Sequence, residues 1–143
     1  MTLDDIRGDF ALLDDWEDRY RYVIELGRMM PPFEEADRTA DNKVRGCASQ
    51  VWLATRWPPR ADGVASLEMQ GDSDAHIVRG LVAILLTIYG GRTASEVLDT
   101  DARAIFAELG LSDHLTAQRS NGLNSMVERI RADAHGALAA EKA

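Results

Sequence analysis

The segment from Ile77 to Tyr89 constrains the fold most, because it is apolar on nearly every side. A helix that is apolar all round has to be buried in the protein interior. The longest uninterrupted part is too short for a bilayer, which needs about 20 apolar residues. Asp72 or Ser73 is predicted to cap the helix, Asp74 to lie in its first turn, and Gly90-Gly91 to end it. The rest of the chain must therefore pack around a central helix.

Two segments show the alternation of apolar and polar residues that is typical of β-strands, at 48–57 and at 64–71. A turn rich in proline and glycine separates them, which predicts an antiparallel hairpin. A third short strand near 43–45 would extend it. Because a two-stranded ribbon is marginal alone, helices must cover its apolar face. The predicted class is α+β, with a small antiparallel sheet covered by helices.

The flanking helices are indicated by capping residues and by apolar residues at helical spacing. The predicted start signals lie at Thr2, at Asp14 or Asp15, at Thr93 and near Ser120. The last helix is expected to loosen at Gly136, so that 137–143 frays. No linker or repeat divides the chain, which predicts a single domain over 1–143.

Charge and cysteine usage narrow the classes of function. The net charge of -8 argues against nucleic-acid binding, which needs a basic face. The acidic N-terminus lacks the order of a signal peptide, and no segment predicts a membrane span. One cysteine cannot form an internal disulfide, so we expect a cytoplasmic protein.

Cys47 is the candidate functional residue. It follows Gly46 where an irregular loop enters the first strand, and Lys43 and Arg45 precede it. Nearby cations favour the thiolate, which is the reactive form of cysteine. A structural cysteine in the core is the plain alternative, since free cysteine is among the most buried residue types.

Other chemistries receive less support. A thiol-dependent hydrolase would pair Cys47 with His76 or His114, and a redox sensor would need the thiol alone. The histidines, including His135, are scattered without metal-ligand spacing, so no metal site is predicted. No nucleotide-binding glycine motif is present either.

The stretch Arg45-Gly46-Cys47-Ala48-Ser49-Gln50-Val51-Trp52 resembles the cysteine motif of the SufE family of sulfur acceptors. Its Ala48 stands where the family commonly has a polar residue. Further resemblances follow in family order across nearly the whole chain, at 22–27 with Pro31-Pro32, at 71–75, at 77–81, at 114–116 and at 119–123.

This resemblance implies a SufE/IscU-like fold and a function in iron–sulfur cluster assembly. Cys47 would take persulfide sulfur from a pyridoxal-phosphate-dependent cysteine desulfurase of the SufS type, stimulate it, and pass the sulfur to the SufBCD scaffold. The protein would be a sulfur-transfer partner without a cofactor of its own, since pyridoxal phosphate belongs to the desulfurase. It would act as a monomer or weak homodimer. An alternative partner is the CsdA-type desulfurase, which the closely similar CsdE proteins serve.

The resemblance also assigns two residues besides the cysteine. Arg119 matches a family arginine near the acceptor, so it would stabilise the thiolate or contact the partner. Asp74 matches a family aspartate beside the acceptor loop and would tether that loop. An arginine at a helix start and an acid near a helix N-terminus also have ordinary structural explanations.

Overall fold

A small antiparallel sheet lies among helices in the computed structural model, which describes residues 1–142. The elements within that range are α1 (Leu3–Leu12), α2 (Trp16–Arg28), β1 (Val51–Arg56), β2 (Glu68–Ser73), α3 (His76–Tyr89), α4 (Ala94–Asp99), α5 (Ala102–Glu108) and α6 (Ala117–Lys142). Short 3-10 helices occupy Glu35–Asp37 and Leu111–His114. The predicted α+β class is confirmed.

The strands pair with Val51 opposite Ser73 and Arg56 opposite Glu68. The first strand is shorter than the predicted 48–57, and the second is shifted from 64–71 towards the C-terminus. The third strand predicted near 43–45 is a single bridge, which joins Lys43 to Trp52.

The shift of β2 corrects the predicted caps of the central helix. Asp72 and Ser73 belong to β2, where the Asp72 carboxylate forms ion pairs with Arg38 and Arg79. Asp74 precedes α3 instead of lying in its first turn, and Ala75 is the N-cap. The Ser73 hydroxyl accepts a hydrogen bond from the Ala75 amide at 3.2 Å, which links strand and helix.

Helix α3 forms the centre of the core, as its apolar composition predicts. Leu81, Val82 and Ile84 have no exposed surface. The sheet packs closely on it at Gly71, where an added Cβ would lie 2.6 Å from Val82 Cγ1. Burial of each large aliphatic side chain contributes about 2 kcal/mol to stability. The helix ends at Gly90, as predicted.

Helices α2 and α3 cross in close contact through two glycines. A Cβ on Gly27 would lie 2.8 Å from the Gly80 amide nitrogen, and a Cβ on Gly80 would overlap the Val23 carbonyl oxygen. Both distances are shorter than van der Waals contact, so the crossing requires a residue without a side chain at both positions.

Helices α1, α2 and α6 begin at or near the residues that the sequence predicted. Thr2 forms a capping box with Asp5, and Asp15 caps α2. Helix α6 begins at Ala117 and continues through Gly136, so the predicted fraying is wrong for 137–142. Leu138 packs against the core and extends the apolar contact of the helix. Ala143 lies outside the described residues. Among the helices of 1–142, none is long and apolar enough to cross a bilayer.

Candidate functional site

Cys47 lies near the tip of a loop whose first end is attached to the sheet. The Val44 amide donates to the Val51 carbonyl at 2.8 Å, and the Leu53 amide donates to the Asn42 carbonyl at 2.8 Å. The Val44 side chain is buried in the core. Backbone pairing and apolar burial therefore hold the chain firmly up to Val44.

Gly46 lets the backbone turn immediately before the thiol. Its φ of +87° lies in the left-handed region, which favours glycine. Its carbonyl accepts a hydrogen bond from the Ser125 hydroxyl of α6 at 3.5 Å, the upper limit for such a bond. The tip of the loop therefore makes a weak contact with the first part of α6.

Asp74 holds the second end of the loop. Its carboxylate Oδ1 accepts a hydrogen bond from the Gln50 amide at 3.0 Å, and its own amide donates to the Gln50 carbonyl at 3.3 Å. Because Asp74 lies two residues before the buried helix α3, this contact attaches the loop close to the core. These contacts are what a loop tether requires.

The Cys47 side chain is half-buried above a cavity of about 200 Å³. Its Sγ donates to the Gly122 carbonyl of α6 at 3.6 Å, a weak contact as expected of a thiol. The cavity is lined by apolar side chains of Val78, Leu81 and Met126, and by the polar residues Thr116, Gln118 and Arg119. The thiol thus faces a partly open cavity that is large enough for further atoms.

Burial raises the pKa of the Cys47 thiol above its ordinary value. The predicted activation by cations is wrong for this conformation, because Lys43 and Arg45 line a separate depression together with Glu128 and Arg129. A protonated thiol is a poor nucleophile. In this conformation burial therefore disfavours the thiolate, the nucleophilic form of Cys47.

Arg119 lies in the first turn of α6 and lines the same cavity as Cys47. Its backbone amide donates to the Thr116 hydroxyl at 3.2 Å, and its side chain is exposed. The structure thus brings Arg119 and Cys47 to one cavity, whereas Asp74 contacts the loop behind the thiol. A guanidinium at the rim can pair with an anion that forms at the sulfur.

Two residues that the sequence did not single out complete the surroundings of the thiol. Gly122 faces the sulfur and Ser125 contacts Gly46, both from α6. Besides its place in the resembling stretch 119–123, the signal available for Gly122 was a glycine inside a helix, because glycine weakens helices. Ser125 resembles any polar residue of a helix surface.

The histidines of the hydrolase alternative lie apart from the thiol. Neither His76 nor His114 is among the described residues that line the Cys47 cavity. The His114 ring stacks on Trp16 with a centroid distance of 3.6 Å. Within the part of the chain that the structure describes, no three His, Cys, Asp or Glu residues are grouped so that they could hold a metal ion.

Comparisons with known proteins agree on one family. The model of the SufE family, described as an Fe-S metabolism associated domain, matches residues 4–134. An uncharacterized SufE-like protein of Rhizobium meliloti is 56% identical over 97% of this chain and 99% of its own length. A second uncharacterized SufE-like protein, from Rhizobium etli, is 57% identical over 93% of this chain and 89% of its own length.

A solved structure supports the fold independently. The solution structure of a hypothetical protein from Thermus thermophilus matches with a TM-score of 0.70 over 97% of this chain and 99% of that one. The two sequences are 20% identical, so this likeness concerns the fold alone.

Proposed function

The chain belongs to the SufE family, and we propose that Cys47 accepts sulfane sulfur from a pyridoxal-phosphate-dependent cysteine desulfurase of the SufS type. Its domain is associated with Fe-S metabolism. The observation that carries the proposal is the position of the one cysteine, on a glycine-hinged loop above a cavity with room beside the sulfur. We propose that the sulfur then goes to the SufBCD scaffold for cluster assembly.

The transfer is an exchange between sulfur atoms without net oxidation or reduction. The Cys47 thiolate attacks the outer sulfur of the persulfide on the desulfurase cysteine. A bond forms between Cys47 Sγ and that outer sulfur, while the original sulfur–sulfur bond breaks. Its electron pair leaves with the desulfurase cysteine as a thiolate, and the proton released by Cys47 passes to that thiolate or to water. The desulfurase is then free for another turnover, which is the basis of its stimulation.

The resting geometry suits a carrier that reacts only when docked. The raised pKa favours the protonated thiol, and the half-buried position limits attack by other reagents. Long contacts of Cys47 with Gly122 and of Gly46 with Ser125 are weak enough to be replaced on docking. The loop would then turn the thiol outward around Gly46.

Arg119 and Asp74 receive separate roles in this proposal. Arg119, which lines the cavity, would stabilise the thiolate or persulfide anion or contact the partner. Asp74 would hold the loop at Gln50 until the desulfurase docks. Neither residue touches the atoms that exchange sulfur in the closed loop, so Cys47 alone performs the covalent step.

The cellular setting follows from the same chemistry. A free acceptor thiol needs reducing surroundings in which disulfide formation does not consume it, so we propose that the protein works in the cytoplasm. We propose no cofactor bound by this chain, since pyridoxal phosphate acts in the desulfurase. The CsdA type of desulfurase is the alternative donor.

Intact mass spectrometry tests the proposal. The protein is incubated with cysteine, pyridoxal phosphate and a SufS-type desulfurase, and its mass is then measured. We expect a gain of one sulfur atom and a faster desulfurase turnover, both lost in Cys47→Ser. A thermal unfolding curve of this variant, unchanged within error, excludes misfolding as the cause. A wild-type protein that gains no sulfur and leaves turnover unchanged would falsify the proposal.

A further inference from the structure

Gly122 is placed in α6 at the point where the helix faces the thiol. A Cβ on Gly122 would lie 3.6 Å from Cys47 Sγ and 3.9 Å from Cys47 Cβ, both ordinary van der Waals distances. The reduced thiol alone therefore leaves room for alanine at this position. Alanine would also favour the helix, because glycine loses more backbone entropy on folding. The helix thus carries a destabilising residue that the thiol does not require.

The second glycine of α6 gives the contrast. At Gly136 an added Cβ would meet no heavy atom of the described residues within 4 Å. Its position is exposed and far along the helix from the loop. Gly136 therefore reports what Gly→Ala does to this helix when no neighbour is involved.

A second sulfur on Cys47 changes the space that is needed. In a persulfide the outer sulfur replaces the thiol hydrogen, which in the closed loop is directed at the Gly122 carbonyl oxygen. The sulfur–sulfur bond is about 2.05 Å long. An atom at that distance along the 3.6 Å line between Sγ and the oxygen would overlap the oxygen. The outer sulfur therefore has to lie beside the carbonyl, in the cavity that Gly122 lines together with Cys47.

We propose that the missing side chain of Gly122 provides the space for the outer sulfur of the Cys47 persulfide, so that the loop closes over its cargo. This inference rests on the proposed function and adds the residue that lets the cavity accept a sulfane sulfur. The nearby apolar side chains of Val78 and Leu81 limit the approach of water and thiol reductants to the stored sulfur. A persulfide excluded from this space would keep the loop open and exposed to attack.

Two matched variants, Gly122→Ala and Gly136→Ala, test the inference. Both should raise the thermal midpoint by roughly 3 °C, because each replaces a helical glycine. Each protein is loaded with sulfur on Cys47, and cyanide is added. Cyanide takes the outer sulfur as thiocyanate and leaves the Cys47 thiolate, whose recovery is followed by mass. We expect at least a tenfold faster loss of sulfur from Gly122→Ala, and the wild-type rate from Gly136→Ala.

Loading by two routes separates this inference from the proposed function. One sample is loaded by a desulfurase with cysteine, and the other by inorganic polysulfide, which adds sulfur to a thiol without any protein partner. If only polysulfide loads the wild-type protein, the proposed function fails while Gly122 is still tested. Equal rates of sulfur loss from wild type and Gly122→Ala would overturn the inference.

A measurement on the wild-type protein removes the dependence on a folded variant. In a proton–nitrogen correlation spectrum, loading with sulfur should shift the backbone amide signal of Gly122 and leave that of Gly136 in place. An unchanged Gly122 signal in the loaded protein would also overturn the inference.

Discussion

The two ends and the tip of the Cys47 loop, residues 44–50, are held in different ways. At the ends, a backbone hydrogen bond of 2.8 Å attaches Val44 to Val51, and one of 3.0 Å attaches Gln50 to the Asp74 carboxylate. At the tip, the contacts of Cys47 and Gly46 with α6 measure 3.6 and 3.5 Å. Short hydrogen bonds therefore fix the two ends, whereas the hydrogen bonds of Cys47 and Gly46 between them are long and weak.

This difference separates two tasks within seven neighbouring residues, 44–50. The ends place the loop relative to the core, and the tip lets the thiol exchange one environment for another. Changes at the first end, where Val44 is buried in the core, should therefore act mainly on stability. Changes that release the tip, including loss of the Asp74 contact, should act mainly on the reactivity of Cys47. The following predictions test that division.

The largest effect is expected at the first end of the loop. Val44→Ala removes two buried methyl groups and leaves a small cavity, which should lower the free energy of unfolding by about 2 kcal/mol. Urea unfolding measures the change. Val64→Ala is the matched control, because Val64 is 43% exposed and should lose less than about 0.5 kcal/mol. Equal losses for both variants would contradict the role of Val44 as an anchor.

At the second end of the loop, we expect a smaller loss of stability than for Val44→Ala and a larger change in the reactivity of Cys47. Asp74→Ala removes the acceptor of the Gln50 amide, a contribution of about 1 kcal/mol. Opening of the loop should become about fivefold more frequent, with an equal increase in the alkylation rate of Cys47 by iodoacetamide. Asp74→Asn keeps an acceptor oxygen, so its alkylation rate should lie between those of the wild type and Asp74→Ala.

Asp113→Ala is the control for this prediction, since Asp113 lies exposed in the 3-10 helix before α6. Its alkylation rate should equal that of the wild type. A wild-type rate in Asp74→Ala would mean that the Asp74 contact does not restrain the tip.

The smallest effect concerns pH and arises at the tip. Burial raises the pKa of Cys47 in the folded protein, whereas the unfolded chain has the ordinary value of about 8.5. Below that value both states bind the proton and the full stability is present. As pH rises further, the unfolded state loses its proton first, so stability falls until the folded thiol also ionises.

Urea unfolding of wild type and Cys47→Ser between about pH 7 and about pH 10 measures this contribution. The wild type should lose more stability than the serine variant over this range, because serine does not titrate there. Parallel pH dependence of the two proteins would show that the closed site does not oppose ionisation of the thiol.

Sequence patterns predicted the elements whose causes are local. The capping box at Thr2, the cap at Asp15 and the apolar α3 depend on neighbouring residues, and the structure contains all three. The end of β2 was missed because Asp72 resembles a helix cap. Its partners Arg38 and Arg79 come from other parts of the chain, and such distant pairing leaves no local pattern.

The candidate site shows the same limit. Cys47 was identifiable because it is the only cysteine and follows a glycine. The direction of the pKa shift of Cys47 could not be predicted from the sequence. Lys43 and Arg45 are its neighbours in sequence, but they line another depression. Gly122 became significant only when α6 was placed beside the thiol.

The two fixed ends of the loop also set a geometric limit on docking. Cys47 is three residues from Val44 and three from Gln50, and each residue spans at most about 3.6 Å. With both anchors intact, the Cα of Cys47 stays within roughly 11 Å of each of them. The loop therefore gives the thiol a short reach, so the proposed persulfide donor has to bring its sulfur within this distance of the anchors. A desulfurase whose sulfur lies in a deep pocket must admit the loop and the rim of the neighbouring helices together.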